Sequence, residues 1–297
     1  MVKWIAKIAL LVVLLVVTTS TSFANSDQEN AKQKSDRKKV ERVRRVAIHK
    51  VLKSADPELI YSEALKYYGR EKWRQAGDLF DACMAYYVGD VREDSTAFFS
   101  ARSKFKNRDY VNATTQLDEF RRKFGRSVFI EDSEAMLAMC HYYLAPDPTR
   151  DQTITGEAII AFSEFIERYP NSKRVEAFKN LIEELTLRLK KKAYLNAYTY
   201  YKIGRYKSAI VAFKNAMKRY PDSHRTEEMM YYSTVSAYKL AANSVESKQL
   251  DRYLAMLDHY YSFIGEYPES KHIKELDRMA KDARNYIDKN RKTEDNV

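Results

Sequence analysis

The chain has 297 residues, room for one large or two ordinary domains. Seven glycines and six prolines leave little material for turn-rich β architecture. The formal charge of +11 is uneven: residues 25–55 carry ten Lys/Arg against four Asp/Glu, Lys3 and Lys7 add two cations, and residues 56–297 keep +3, which argues against a uniformly basic body.

The first 24 residues read as a secretory signal peptide. Lys3 and Lys7 precede the apolar run Ile8–Val17, and small residues then lead to Ser22-Phe23-Ala24. The run is short for a transmembrane span, so export with cleavage after Ala24 is expected, an uncleaved anchor being the alternative. Residues 25–55 form a basic arm, expected to be flexible. It suits lipid headgroups or other phosphate-bearing surfaces, or serves as a solvated leader. The export signal conflicts with a nucleic-acid partner.

Helices follow. Asp56 can cap a helix whose first turn holds Pro57. The apolar pattern predicts helix pairs at 57–70 and 74–87, then at 94–107 and 111–124. A third pair, 132–144 and 156–169, is interrupted by a loop through Pro146-Asp-Pro148. After Pro170-Asn-Ser172 a pattern without breakers runs from Lys173 to about Ile203, one long helix of roughly 45 Å. It pairs with 207–220. A fifth pair spans 225–242 and about 250–267, and a capping helix covers 271–289. The expected organisation is repeats 1–3 over 56–172, then the long helix, repeats 4–5 and the cap over 173–290, with a disordered tail at 291–297.

One register unites these pairs. Three second helices end in Tyr169-Pro-Asn-Ser, Tyr220-Pro-Asp-Ser and Tyr267-Pro-Glu-Ser, and two more end at Tyr87 and Phe124 without proline. Seven residues before each aromatic stands Phe80, Leu117, Phe162, Phe213 or Tyr260. Eleven before stands Ala76, Ala113, Ala158, Ala209 or Met256. Small, large and aromatic positions at this spacing share one helix face. The fourth pair carries the fullest tetratricopeptide pattern, with Tyr200, Gly204, Tyr206, Ala209, Phe213 and Pro221. The expected fold is all-α, a right-handed superhelix of about five tetratricopeptide-like helix pairs plus a C-terminal capping helix.

Cys83 and Cys140, the two cysteines, fall on helices too far apart in such a stack for a disulfide and are expected as buried thiols. The five histidines show no ligand spacing. No Gly-rich phosphate loop, Gly-x-Ser-x-Gly or metal motif is present, so neither catalytic chemistry nor a cofactor is expected.

First helices line the inner side of stacked pairs. Tyr61, Leu65 and Tyr68, with Phe98, Arg102 and Phe105, are expected to form a client-binding groove for an extended peptide. Tyr194, Tyr198 and Tyr201 form a second aromatic surface. The alternative is that neighbouring helices cover these rings.

Residues 50–290 resemble the BamD family of outer-membrane protein assembly factors, in the form found in Bacteroidetes-type bacteria. The likeness rests on Lys50-Val-Leu-Lys-Ser-Ala-Asp-Pro-Glu-Leu59, Tyr61-Ser-Glu-Ala-Leu-Lys-Tyr-Tyr68, Tyr200-Tyr-Lys-Ile-Gly204, Tyr206-Lys-Ser-Ala-Ile-Val-Ala-Phe-Lys214 and Tyr260-Tyr-Ser-Phe-Ile264. The resemblance implies a periplasmic, non-enzymatic scaffold at the outer membrane. Its implied partners are the periplasmic domains of a BamA-type insertase at the C-terminal repeats, nascent β-barrel proteins at the N-terminal repeats, and other assembly subunits. The family normally starts at a lipidated cysteine just before the Lys50 stretch. Here residues 25–49 hold a basic arm without cysteine, and peripheral contact with the inner leaflet, helped by the insertase, is expected instead. Another exported tetratricopeptide adaptor, coordinating cell-envelope or division complexes, is the competing reading.

Overall fold

The helices start and stop where local chemistry dictates. The Asp56 carboxylate accepts from the Glu58 and Leu59 amides at 3.0 and 3.3 Å, and Pro57 occupies the first turn. Helix α1 (Pro57–Gly69) pairs with α2 (Trp73–Met84), α3 (Glu93–Lys106) with α4 (Tyr110–Lys123), and α5 (Ile130–Leu144) with α6 (Thr153–Arg168). The long α7 (Val175–Lys202) pairs with α8 (Tyr206–Arg219), and α9 (Thr226–Ala242) with α10 (Glu246–Glu266). The last helix, α11 (Ile273–Glu294), packs on α10. This computed structural model describes residues 34–35 and 46–294, and all secondary structure among them is helical. The signal-peptide reading, and the arm before residue 46 apart from 34–35, lie outside the described residues.

The recurring endings act as two-step turns. The amides of Ser127, Ser172, Ser223 and Ser270 donate to the carbonyls of Phe124, Tyr169, Tyr220 and Tyr267, the aromatics three residues earlier. The same serine carbonyls accept from the first residue of the next helix, Ile130, Val175, Thr226 and Ile273. Each serine hydroxyl also accepts from the amide two residues on. Ser127 and Ser270 further donate to Asp94 and Glu227 at 2.7 and 2.6 Å, the acids seven residues after the preceding terminal aromatic. Each serine thus caps the next helix, and Ser127 and Ser270 also tie it to the previous pair. Within pairs, Glu71, Arg108 and Gly204 sit five residues before Ala76, Ala113 and Ala209, all at positive φ (56°, 63° and 74°). This turn requires the left-handed region, and only the fourth pair fills it with glycine.

The chain divides into two compact units, one ending at Ser133 and one beginning at Glu134. In the first, Ile60, Ala64, Ala76, Leu79, Phe80, Cys83 and Tyr87 form one cluster, and Ala113, Leu117 and Phe120 are fully or almost fully buried. In the second, successive clusters form around Phe162, Phe165 and Phe178, around Tyr194, Ala209 and Phe213, and around Met256, Phe263 and Leu276. All five small-position residues of the register are 0% exposed. Both cysteines are buried.

Two expectations change. Residues 46–53, placed in the flexible arm, are helical, and Ile48, Val51 and Leu52 pack against the first cluster. Their i, i+3, i+4 apolar spacing supplies the reason. Residues 291–294, placed in the tail, continue α11, because nothing between Asp288 and Glu294 breaks a helix.

Candidate functional site

In the first unit the predicted groove is only partly a surface. Leu65 is 41% exposed, while Tyr61, Tyr68, Arg102 and Phe105 are half-buried. Phe98 is 1% exposed and belongs to the core. Phe129, from the turn before α5, stacks on it at 4.4 Å and 13°, with Phe120 at 5.9 Å and Phe99 at 5.7 Å. The expectation that Phe98 faces a client is therefore corrected. Tyr61, at the equivalent position of the first pair, packs edge-on against Phe80 and Tyr87, with the Arg92 guanidinium 5.9 Å above it. Arg92 holds the same register place as Phe129, and also pairs with Glu58 at 2.7 Å. Tyr68 meets Trp73, Phe80 and Phe99, and Arg102 spans the rings of Tyr68 and Phe98 at 6.0 and 5.9 Å. Burial raises the Tyr68 pKa, with Arg102 opposing. What remains as a face is Leu65 flanked by half-buried Tyr61, Arg102 and Phe105.

Behind this face a polar network ties the helices together. Asp81 accepts from Lys104 at 2.6 Å, from Gln116 at 2.9 Å and from the Ser100 hydroxyl. Burial works against the Asp81 carboxylate, but these donors outweigh it and hold its pKa below the usual value.

In the second unit the predicted tyrosines stack on one another. Tyr194 and Tyr198 lie 5.6 Å apart at 11°, Tyr198 and Tyr201 5.8 Å apart, and Tyr232 meets Tyr198 and Tyr201 at 4.8 and 4.9 Å. Tyr194 is 6% exposed, under Arg225 at 4.7 Å, again the residue five after a terminal aromatic. Tyr198 and Tyr201 are half-buried, and Lys239 donates to the Tyr201 hydroxyl at 3.2 Å. Sequence reasoning missed the rungs that cross from one first helix to the next. Tyr142 donates to Glu184 at 3.0 Å, Tyr194 to Glu228 at 2.7 Å, Tyr231 to Glu275 at 2.8 Å and Tyr238 to Asp282 at 3.4 Å. Tyrosines followed by acids 34 to 44 residues later were the available signal. Burial and then the carboxylate acceptors raise Tyr194 and Tyr231 well above the ordinary tyrosine pKa. Burial and its tyrosine neighbours push Tyr232 up to about 12.

A further cleft of about 180 Å³ opens in the first unit between the ends of α2 and α4 and the start of α3. Met84, Val88, Ala97, Phe120 and Phe124 line it, with Glu93 paired to Lys123 at one wall. Among the described residues no group of His, Cys, Asp and Glu could hold a metal ion, and no helix is long and apolar enough to cross a membrane.

Helix pairs joined by such turns, with residues 194–223 matching the tetratricopeptide repeat, define a tetratricopeptide-type helical-repeat protein. Residues 53–196 match the family described as "Outer membrane lipoprotein" (YfiO). The outer membrane protein assembly factor BamD of Caulobacter vibrioides is 23% identical over 192 residues, covering 65% of this chain and 63% of that protein. BamD of Rickettsia prowazekii is 22% identical over 227 residues, covering 76% and 86%. BamD of Helicobacter pylori is 31% identical over 72 residues, covering 24% and 33%. The chain is similar to proteins named outer membrane protein assembly factor BamD, and its match spans just under two thirds of the Caulobacter protein and one third of the Helicobacter one. Among solved structures, the TPR2AB-domain:pHSP90-complex of yeast Sti1 aligns with 76% of this chain and 98% of that one, at 13% identity. Its TM-score of 0.36 is too low to carry weight.

Proposed function

We propose that this chain is a non-enzymatic scaffold subunit of the machinery that assembles β-barrel proteins, working at the periplasmic face of the outer membrane. The match of residues 53–196 to the outer membrane lipoprotein family, together with relatives named as BamD, carries this reading. In this reading nascent barrel segments dock on the first unit at Leu65, Tyr61, Arg102 and Phe105. There an apolar residue, aromatic edges and one guanidinium suit an extended, partly apolar peptide. A BamA-type insertase is engaged by the second unit, whose tyrosine–carboxylate rungs keep its helix faces rigid before binding, so little ordering cost falls due on association. The work is presentation: pre-set faces hold partners, and no bond is made or broken. The basic arm adds attraction to anionic headgroups.

Capture of the tagged chain from envelope extract, followed by identification of what co-purifies, tests this. Recovery of a barrel insertase is expected, and its absence under mild solubilisation would end the reading. With a barrel-derived peptide, Leu65→Ser combined with Phe105→Ser weakens binding while far-ultraviolet circular dichroism is unchanged.

A further inference from the structure

Residues 185–221, from the middle of α7 to just past α8, hold ten Lys/Arg and no Asp or Glu. Residues 56–297 as a whole keep only +3, so this helix pair concentrates the positive charge of the folded body. Along most of α7 that charge is answered. Arg188 pairs with Glu184 at 2.5 Å and Lys190 with Asp222 at 2.6 Å. Lys192 donates to the Thr149 carbonyl at 3.0 Å, and Asp147 and Asp151 lie near Lys191 and Lys192. From Lys202 onward it is not answered. Lys202, Arg205, Lys207, Lys214 and Lys218 are exposed, and none forms an ion pair among the described residues.

Lys207, Val211, Lys214 and Lys218 stand at i, i+4, i+7 and i+11. They form one stripe of about 16 Å down the side of α8 opposite its buried Ala209, Phe213 and Ala216. Val211 is 53% exposed within the stripe, and Ile203, in the turn before α8, is 63% exposed. The stack does not require lysine at these places. Two residues before the small position, and five and nine after it, α6 has Gly156, Ser163 and Glu167, and α10 has Leu254, Tyr261 and Gly265. These second helices form the outer layer of the same unit. On one side α7 packs between α6 and α8, and on the other Ile210 of α8 packs against the cluster that holds Met256 and Phe263 of α10. Helix α6 carries three acids against one arginine, and α10 four acids against two cations. Asp258 of α10 and Lys214 both act on the His259 ring, so α10 brings one carboxylate close to the stripe, against five cations. A narrow positive ridge therefore runs between two negative ones. A broad anionic sheet laid on this face would also meet the acids of α6 and α10, whereas a single acidic chain lying along α8 would not.

We propose that the outer face of α8 docks an acidic segment of a partner protein. Its carboxylates lie on Lys207, Lys214 and Lys218 and an apolar side chain on Val211, and Lys202 and Arg205 extend the contact past the helix start. This surface faces away from the inner tyrosine rungs, goes beyond the scaffold reading and does not depend on it. The lysines supply the salt-sensitive part of the attraction and speed encounter, and Val211 supplies the salt-resistant part.

Fluorescence anisotropy of a labelled peptide, glutamates flanking a single leucine, tests this with the purified chain. Binding is expected that weakens as salt rises and is absent for the glutamine counterpart of the peptide. Lys207→Gln, Lys214→Gln and Lys218→Gln together should weaken it about tenfold, as three exposed ion pairs are lost, with helicity and melting unchanged. Lys53→Gln, Lys72→Gln and Lys106→Gln, which remove the same charge from exposed sites in and before the first unit, should leave it unchanged. Val211→Ser should weaken the leucine-bearing peptide and not a pure glutamate one. No binding of the acidic peptide, equal loss in both triple variants, or full binding by the α8 variant would each overturn the proposal. So would sedimentation with phosphatidylglycerol vesicles that depends on the same three lysines, since the face would then serve a lipid sheet. Capture of a barrel insertase from extract tests the scaffold reading alone and leaves each of these outcomes as it stands.

Discussion

Replacing Phe98 by alanine separates a core reading of the first unit from a groove reading. The ring is 1% exposed and touches three other phenylalanines, one stacked at 4.4 Å. Removing a buried phenylalanine ring costs about 3–5 kcal/mol. Each well-placed aromatic pair adds about 0.5–1.5 kcal/mol beyond burial, so the upper part of that range is expected here. A unit with about 5–15 kcal/mol of stability would lose a third or more of it. Urea unfolding followed by tryptophan emission reports on this unit directly, because Trp73 sits 5.1 Å from Tyr68 inside it. The midpoint should fall strongly at unchanged slope. A loss under about 1 kcal/mol, accompanied by weaker peptide binding, would refute the core assignment and return Phe98 to the surface.

The tyrosine rungs make the fold sensitive to alkali. Tyr194 and Tyr231 ionise above their unfolded value of 10.0, and Tyr232 only near 12, so below pH 10 their hydroxyls are neutral in both states and the rungs are intact. Above it the unfolded chain releases its protons first, and stability should fall from about pH 10 through 12. The double variant Tyr194→Phe, Tyr231→Phe should flatten that fall in a melting-temperature series, and an unchanged profile would mean that these hydroxyls do not couple folding to pH. At the inner turns, Arg108→Gly relieves a left-handed conformation costing roughly 1–2 kcal/mol, less the unfolded-state freedom that glycine adds, roughly 0.4–1 kcal/mol. A small rise in melting temperature is expected, and a fall would show that the Arg108 side chain stabilises more than its backbone strains.

The register of small, large and aromatic residues was legible because stacked helices repeat the same burial every time, and Ala76, Ala113, Ala158 and Ala209 are all fully enclosed. The long α7 was legible because nothing within 175–202 breaks a helix. The fate of the aromatic face was not. Tyr61, Phe98 and Tyr194 hold one register position, yet what lies over each comes from about thirty residues downstream: Arg92, Phe129 and Arg225. The Arg92 guanidinium at 5.9 Å leaves Tyr61 half-open, Arg225 at 4.7 Å leaves Tyr194 6% exposed, and a stacked ring seals Phe98. A pattern read along one helix cannot contain the residue that covers it. The rungs from Tyr142, Tyr194 and Tyr231 escaped notice for the same reason, since each acceptor belongs to the next first helix.

The turns between pairs have one further property. From the closing aromatic to the first residue of the following helix is always six positions, at Tyr87–Glu93, Phe124–Ile130, Tyr169–Val175, Tyr220–Thr226 and Tyr267–Ile273. The turns inside pairs are not so bound, and the stretch from Leu144 to Thr153 is far longer than that from Lys106 to Tyr110. Hydrogen bonds to both neighbouring helices clamp the first kind of turn, so an inserted residue there would break the spacing of the helices on either side. Related chains should therefore differ in length along one rim of each unit and in side-chain identity along the other.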